Sequence, residues 1–299
     1  MGTETIDVER LRELFSRDVP SPYREKSAEE VYTEYWSWYL MVRYGSIALM
    51  VALGALAIFS VYAGTNILYI LGLGGVIVIG VVARNAINRR FGSLMAIVNQ
   101  DCDPAKLREV MERIGKHNIR RQAKALTACY IAQCDNLDAR PREALHRIEN
   151  FTFGAQNVLW TMVFNIQALC ADSLGFTRLR DEVMDRLNDL RTSLPKQQDR
   201  AIAEGLYHNL RQQFRPHESW GEADAAEFRA RMEGASNRRE RVEWCLKLAE
   251  YELNQGDLDA ARTLLDPGIL SPMVPRSALL RERLESRLRE SDSQNLSVN

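Results

Sequence analysis

Residues 44–83 read YGSIALMVALGALAIFSVYAGTNILYILGLGGVIVIGVVA, and no Asp, Glu, Lys, Arg or His occurs in these 40 positions. A single helix of that length would run about 60 Å, roughly twice the hydrocarbon thickness of a bilayer. A break is therefore expected. Ala63-Gly64-Thr65-Asn66 is the place for it, because Gly and Asn accept the positive φ of a tight turn. Two apolar segments remain, Gly45–Tyr62 and Ile67–Ala83, of 18 and 17 residues. Each is close to the minimum that crosses a bilayer. The alternative is a buried hairpin in a soluble core, and the length and purity of the run count against it. Because 43 mixed residues precede the run, it is not expected to be a cleaved leader.

The average composition conceals this run. Across 299 residues, 39 Lys+Arg stand against 40 Asp+Glu, and 46% of residues are hydrophobic. Those values exclude a collagen-like, disulfide-stapled or wholly disordered chain. Every charged residue falls outside residues 44–83, so the chain consists of two materials. Residues 84–299 hold 33 Lys/Arg and 31 Asp/Glu. Such a near-neutral domain gives no support to a nucleic-acid partner.

Orientation follows from the placement of Lys and Arg. Arg43 precedes the first apolar segment; Arg84, Arg89 and Arg90 follow the second; the turn carries no charge. The positive-inside rule puts both termini in the cytoplasm. The expected location is a membrane of the bacterial cytoplasmic type. Tyr32, Tyr35, Trp36, Trp38, Tyr39 and Tyr44 abut the first segment, as rings do at the headgroup level. Trp36, Trp38, Tyr39, Arg43, Arg84, Arg89 and Arg90 are the expected interface residues. No ionisable side chain lies inside either segment, which argues against a proton or ion path. Ala48, Ala52, Gly54, Ala55, Gly72, Gly74, Gly75 and Gly80 instead allow close helix approach, within the pair or against another membrane protein.

The amino-terminal segment, 1–43, is mildly acidic. Ile6, Leu11, Leu14 and Phe15 form one face of a short helix, which Val19-Pro20-Ser21-Pro22 ends. Ser27-Ala28-Glu29-Glu30 fits a capping box for a helix that runs into the first apolar segment.

Residues 84–290 are long enough for a domain and rich in strong helix formers, and residues 291–299 are expected to form a disordered tail. Asp103-Pro104 reads as a cap followed by a first-turn proline. Gly115, Gly175, Gly234 and Gly256 read as helix ends, and Pro141, Pro195 and Pro275 as helix starts. Longer helices are expected from Ile119, Asn157, Gln197 and Arg238. Their partners are expected from Pro141, Thr177, Glu222 and Asp257, with end helices at 103–114 and 275–289. A period of about 40 residues belongs to paired-helix arrays.

In the last unit, Trp244, Tyr251, Ala260, Leu264 and Pro272 stand at the spacing of a large aromatic, second aromatic, small residue, apolar residue and terminal proline. This unit resembles the tetratricopeptide repeat. It departs from the pattern at Lys247-Leu248, where the family has Leu-Gly, and at Pro267. The expected fold is thus all-α: a transmembrane helical hairpin followed by a tetratricopeptide-like α-solenoid. The resemblance implies a groove for a protein or peptide. For an acidic peptide, the basic residues available would be Arg120, Arg121 and Lys124 at one helix start and Arg238, Arg239 and Arg241 at another.

No catalytic chemistry is expected. Cys102, Cys129, Cys134, Cys170 and Cys245 form no Cys-x-x-Cys pair, and His117, His146, His208 and His217 have no metal-ligand spacing. No nucleophile elbow or phosphate loop occurs in the soluble part. The expectation is a non-enzymatic membrane-anchored adaptor or scaffold, without cofactor, that binds a protein partner. The alternative is an accessory or assembly subunit acting through its hairpin. Exchanging residues 44–83 for an unrelated two-span anchor would separate the two, since only the adaptor would keep its activity.

Overall fold

The computed structural model describes residues 8–64, 66–117, 121–151, 153–154 and 156–298, with side chains except at 66–68, 121 and 294–298. Every regular element among them is a helix. In chain order these are α1 (Val8–Ser16), α2 (Ala28–Tyr62), α3 (Asn66–Ser93), α4 (Ala96–Asn99), α5 (Pro104–His117), α6 (Arg121–Leu137), α7 (Pro141–Ile148) and α8 (Trp160–Ser173). There follow α9 (Thr177–Ser193), α10 (Gln197–Gln213), α11 (Glu222–Gly234), α12 (Arg238–Gln255), α13 (Leu258–Leu264), α14 (Pro267–Leu270) and α15 (Pro275–Val298). They divide into two compact units. One is Glu25–Ala96; the other joins the residues up to Arg24 to those from Ile97 onward.

In the hairpin unit, α2 opens on the expected capping box. Ser27 Oγ accepts from the Glu30 N–H at 3.2 Å, and Glu30 Oε2 accepts from the Ser27 N–H at 2.7 Å. The helix then runs unbroken for 35 residues, about 52 Å. Its aromatic first part and its apolar second part therefore share one rod. It ends at Tyr62, and Gly64 takes a φ of +72° in the turn. α3 returns antiparallel, as close contacts between glycines and α2 show. A Cβ on Gly72 would lie 2.8 Å from Ala57 Cβ, and one on Gly75 would lie 2.8 Å from Leu53 Cδ1. Small residues are what let the two backbones approach. Toward the open end, Tyr35 meets Phe91 edge-on at 6.2 Å.

This pairing leaves most apolar surface uncovered. Phe59 is 69% exposed and Ile70 67%; only 11% and 6% of the two most apolar windows is buried. A hairpin buried in a soluble core does not have such exposures. Both helices are long and apolar enough to cross a membrane.

In the helical unit, burial runs the other way. Val242, Cys245, Leu246, Leu248 and Ala249 of α12 form the centre of its largest cluster. Phe228 of α11, Leu264 of α13 and Leu284 of α15 close around them, and so do Leu11, Leu14 and Phe15 of α1. A helix at one end of the chain thus completes a core built at the other. Asp18, just beyond α1, accepts from Arg238 at 3.3 Å and from Arg241. The Phe15 ring lies under both guanidinium groups, at 5.4 and 5.9 Å. Two more ties hold the segment: Ser21 to Asp101, and Lys106 Nζ to the Tyr23 carbonyl at 2.7 Å.

Further along, α6, α7 and α8 share a cluster that includes Cys129, Ile148 and Val163, and α8, α9 and α10 share one that includes Phe164, Leu187 and Leu210. Alternate helices also touch, α6 with α8 and α8 with α10. α15 reaches back to α6, a contact that a strictly nearest-neighbour stack lacks. Asp135 of α6 is fully buried and accepts from Arg140 and Arg147, each at 2.9 Å, and from Arg108 at 3.5 Å.

Several local expectations differ from what is observed. Residues 1–43 do not act as one segment, since Leu11 to Arg24 belong with the helical unit and Glu25 opens the hairpin unit. Gly115 does not end α5, which continues to His117. A Cβ there would meet Thr127 Cγ2 at 3.3 Å, so the residue sets the α5–α6 approach. Pro195 lies two residues ahead of α10 rather than inside it. The expected disordered tail is helical through Val298, and Asp292 is held by Arg262 at 2.9 Å. Ile6 lies outside the described residues.

Candidate functional site

Trp36, Trp38, Tyr39 and Arg43 all lie on α2, where Trp36 stacks on Tyr39 with centroids 5.1 Å apart. Arg43 donates to the Tyr39 hydroxyl at 3.2 Å and is otherwise exposed. Arg84 and Arg89 are exposed on α3. Arg90 differs, because it pairs with Glu34, which also takes Lys26 at 2.5 Å. One expected headgroup contact is therefore engaged within the hairpin unit.

The basic clusters fare unequally. Arg120 lies outside the described residues, and of Arg121 only the backbone at the start of α6 is described. Lys124 is exposed. Arg238 and Arg241 do not form an open basic surface. They are 8% and 6% exposed, and their donors go to Asp18 and to backbone. Arg238 reaches the carbonyls of Ile269, Ser271 and Pro272, and Arg241 that of Ala235. Burial lowers the Arg238 pKa, with Asp18 pulling the other way. The physical reason for this placement is Asp18, 220 residues away in the sequence. A buried carboxylate with two buried guanidinium groups is a brace for the core.

Only Arg239 of that cluster remains near solvent. It donates to Glu243 at 3.2 Å and to Asn99 at 3.1 Å. Glu243 also takes Arg276 of α15 at 3.2 Å. One turn on, Lys247 sets Nζ 4.3 Å from the Trp244 ring centroid, and Arg231 of α11 lies over the same ring at 4.7 Å. Phe228 stacks against Trp244 at 5.8 Å. Burial would raise the Glu243 carboxyl, but Arg239, Arg276 and Lys247 together hold it below its ordinary value. Burial pulls Lys247 down to about 8, with Arg231 and Arg276 adding to the effect against Glu243. Trp244 was among the aromatic residues the sequence already marked. The i, i+4 row Arg239, Glu243, Lys247 was equally legible, whereas Arg231 and Arg276 arrive only through packing.

All five cysteines are free and buried. Burial pushes Cys102 up to about 11 and Cys129, Cys134, Cys170 and Cys245 to about 12. These thiols stay protonated at neutral pH, which makes them poor nucleophiles. Among the described residues, no group of three or more His, Cys, Asp or Glu is placed to hold a metal ion. His146, His208 and His217 each face one carboxylate, of Glu149, Glu204 and Glu250.

The turn of the repeat-like unit is formed as a helix end should be, with Gly256 at a φ of +83° and Asp257 capping α13. The second helix is short, only seven residues, because α14 starts anew at Pro267. Ala261 rather than Ala260 is the fully buried small residue. No family model matches the chain, and no curated protein or solved structure is detectably similar to it.

Proposed function

We propose that the chain is a membrane-anchored adaptor, with α2 and α3 crossing the bilayer and the helical unit binding a protein partner at the cytoplasmic face. The observation that carries the anchor is the poor burial of the charge-free stretches of two long helices, whose apolar windows are only 11% and 6% buried. In water that surface would drive aggregation; in hydrocarbon it costs nothing and satisfies every backbone group. A same-side arrangement of the two termini is supported by the core of the helical unit, where Phe15 packs with residues of α12 and α15. Both ends of the hairpin lead into that one unit. The cytoplasmic side follows from Arg43, Arg84 and Arg89 at the polar end.

Protein binding is supported by the paired helices beginning at Arg121, Trp160, Gln197 and Arg238, close to the expected period, and by the contacts between alternate helices. Arrays of that kind present continuous surfaces to peptides or helices. Fractionation of cell membranes tests the anchor. The chain should resist 1 M salt, on the order of the strength that screens surface ion pairs, and should leave the membrane only with detergent. Release by salt alone would sink the proposal.

A further inference from the structure

We propose that residues 8–24 are a strap that lets the helical unit close only when both ends of the hairpin lie on one side of the membrane. This rests on the membrane-anchor reading and adds a condition on folding. Its first ground is what the strap supplies. Leu11, Leu14 and Phe15 complete the cluster around α12. Asp18 gives Arg238 and Arg241 their carboxylate, and no other carboxylate pairs with either among the described residues. Both guanidinium groups are buried. Taking the carboxylate away leaves desolvated charge without compensation, which is strongly destabilising. A domain's stability is marginal, so a loss of that kind is a large part of the whole.

The second ground is the continuity of the strap toward the hairpin. The Ser21 N–H donates to Asp101 at 3.0 Å, and the Ser21 hydroxyl donates to the other carboxylate oxygen. Lys106 Nζ donates to the carbonyls of Tyr23 at 2.7 Å and Arg24 at 3.1 Å. Tyr23 itself is buried. The seam therefore extends to the last residue before the hairpin unit begins. A helix of nine residues does not persist alone in water, so α1 takes its form from this seam.

The third ground is chain order. The strap precedes Glu25–Ala96, and its partners across the core follow that unit. α1 is made first and α12 to α15 last. Without a hairpin between them, their contact would be ordinary core packing. With it, two crossings bring strap and core to one side, and a single crossing would hold them apart across the bilayer. Closure of the core is then conditional on both spans being in place.

The test inserts an unrelated single span between Arg24 and Glu25 of the full chain. Three crossings put strap and helical unit on opposite sides, whichever way the chain enters. Two further variants carry there an unrelated two-span segment or a flexible soluble linker of the same length, and both keep strap and unit on one side. Trypsin is added to sealed vesicles that present the helical unit, and cleavage after Arg238 and Arg241 is followed by mass spectrometry. A tag ahead of Val8 identifies the side of the strap. With the single span, cleavage should rise about a hundredfold, as the two arginines lose their carboxylate and the core opens. With the two-span segment or the linker it should stay within about threefold of the parent, because a longer loop costs little. Equal resistance with the strap across the membrane overturns the proposal. So does a rise in all three variants, since the point of insertion rather than the side would then decide. Failure of the anchor reading would instead appear as salt release of the parent chain from membranes, which the trypsin pattern does not measure.

Discussion

Val78 on α3 is 60% exposed, and Val183 on α9 is fully buried. Both are valines in long helices of one chain. In the hairpin unit, α3 has apolar side chains on all sides and small residues where it meets α2. In the helical unit, α9 has an apolar stripe inward and Arg, Asp and Glu outward. Charge is distributed in the opposite sense. The apolar stretch of the hairpin contains none, while the helical unit buries carboxylates such as Asp18 and Asp135 and surrounds each with arginines. The apolar stretch of the hairpin holds no side-chain charge for water to solvate; the helical unit solvates its charges internally.

The largest effect should come from breaking the internal solvation. Asp135→Ala takes this carboxylate from Arg108 and Arg147, while Arg140 keeps Asp138 and Glu143, each at 2.8 Å. A loss of about 3–4 kcal/mol is expected, toward the lower end for a buried pair because the arginines keep about a third of their surface exposed. Thermal unfolding in detergent, followed by circular dichroism, measures it; an unchanged melting temperature would mean that the network contributes nothing. Next comes Val78→Arg, which gives the hairpin what it excludes. In a bilayer the substitution costs about 2.5–3.5 kcal/mol of insertion free energy, whereas on a soluble surface it would be close to neutral. The fraction of chain in carbonate-washed membranes should fall, and an unaltered fraction would place α3 in water.

The smallest effect concerns Lys247. Its folded value near 8 lies below the ordinary 10.5, so between these pH values the unfolded chain binds more protons. Stability therefore rises with pH across that window, as the cost of holding the ammonium is relieved. Lys247→Met should be more stable than the parent by about 1 kcal/mol at pH 7, allowing for partial exposure. That advantage should shrink between pH 8 and 10 in melts of both proteins. A constant difference would show that Lys247 titrates normally.

Much of this architecture was legible because it depends on neighbours in sequence. The turn at Ala63–Asn66, the Ser27 capping box, the Asp103 cap, the Gly175 and Gly256 helix ends and the starts of α7, α9, α10, α11 and α12 follow from local chemistry. Gly115 was misread because a glycine that admits a neighbouring helix looks, in one dimension, like a glycine that ends its own. The tail was misread because its polar composition gives no hint of Arg262, thirty residues earlier. The basic site was half legible. Arg238 and Arg241 appeared open, since nothing local marks a partner as distant as Asp18, and Lys247 appeared to be only a departure from a repeat pattern.

The sequence by itself determined the division into an uncharged hairpin and a charged helical unit, the hairpin turn and most helix boundaries. Periodicity, capping and the absence of charge act over a few residues and need no fold to be read. Tertiary structure alone decided that α1 completes the core of α12 and that Asp18 occupies Arg238 and Arg241. It also set Lys247 among Glu243, Arg231 and Arg276, residues of three helices. Those outcomes depend on which distant charges packing brings within a few ångströms, where reduced solvation makes each pairing, or its lack, count.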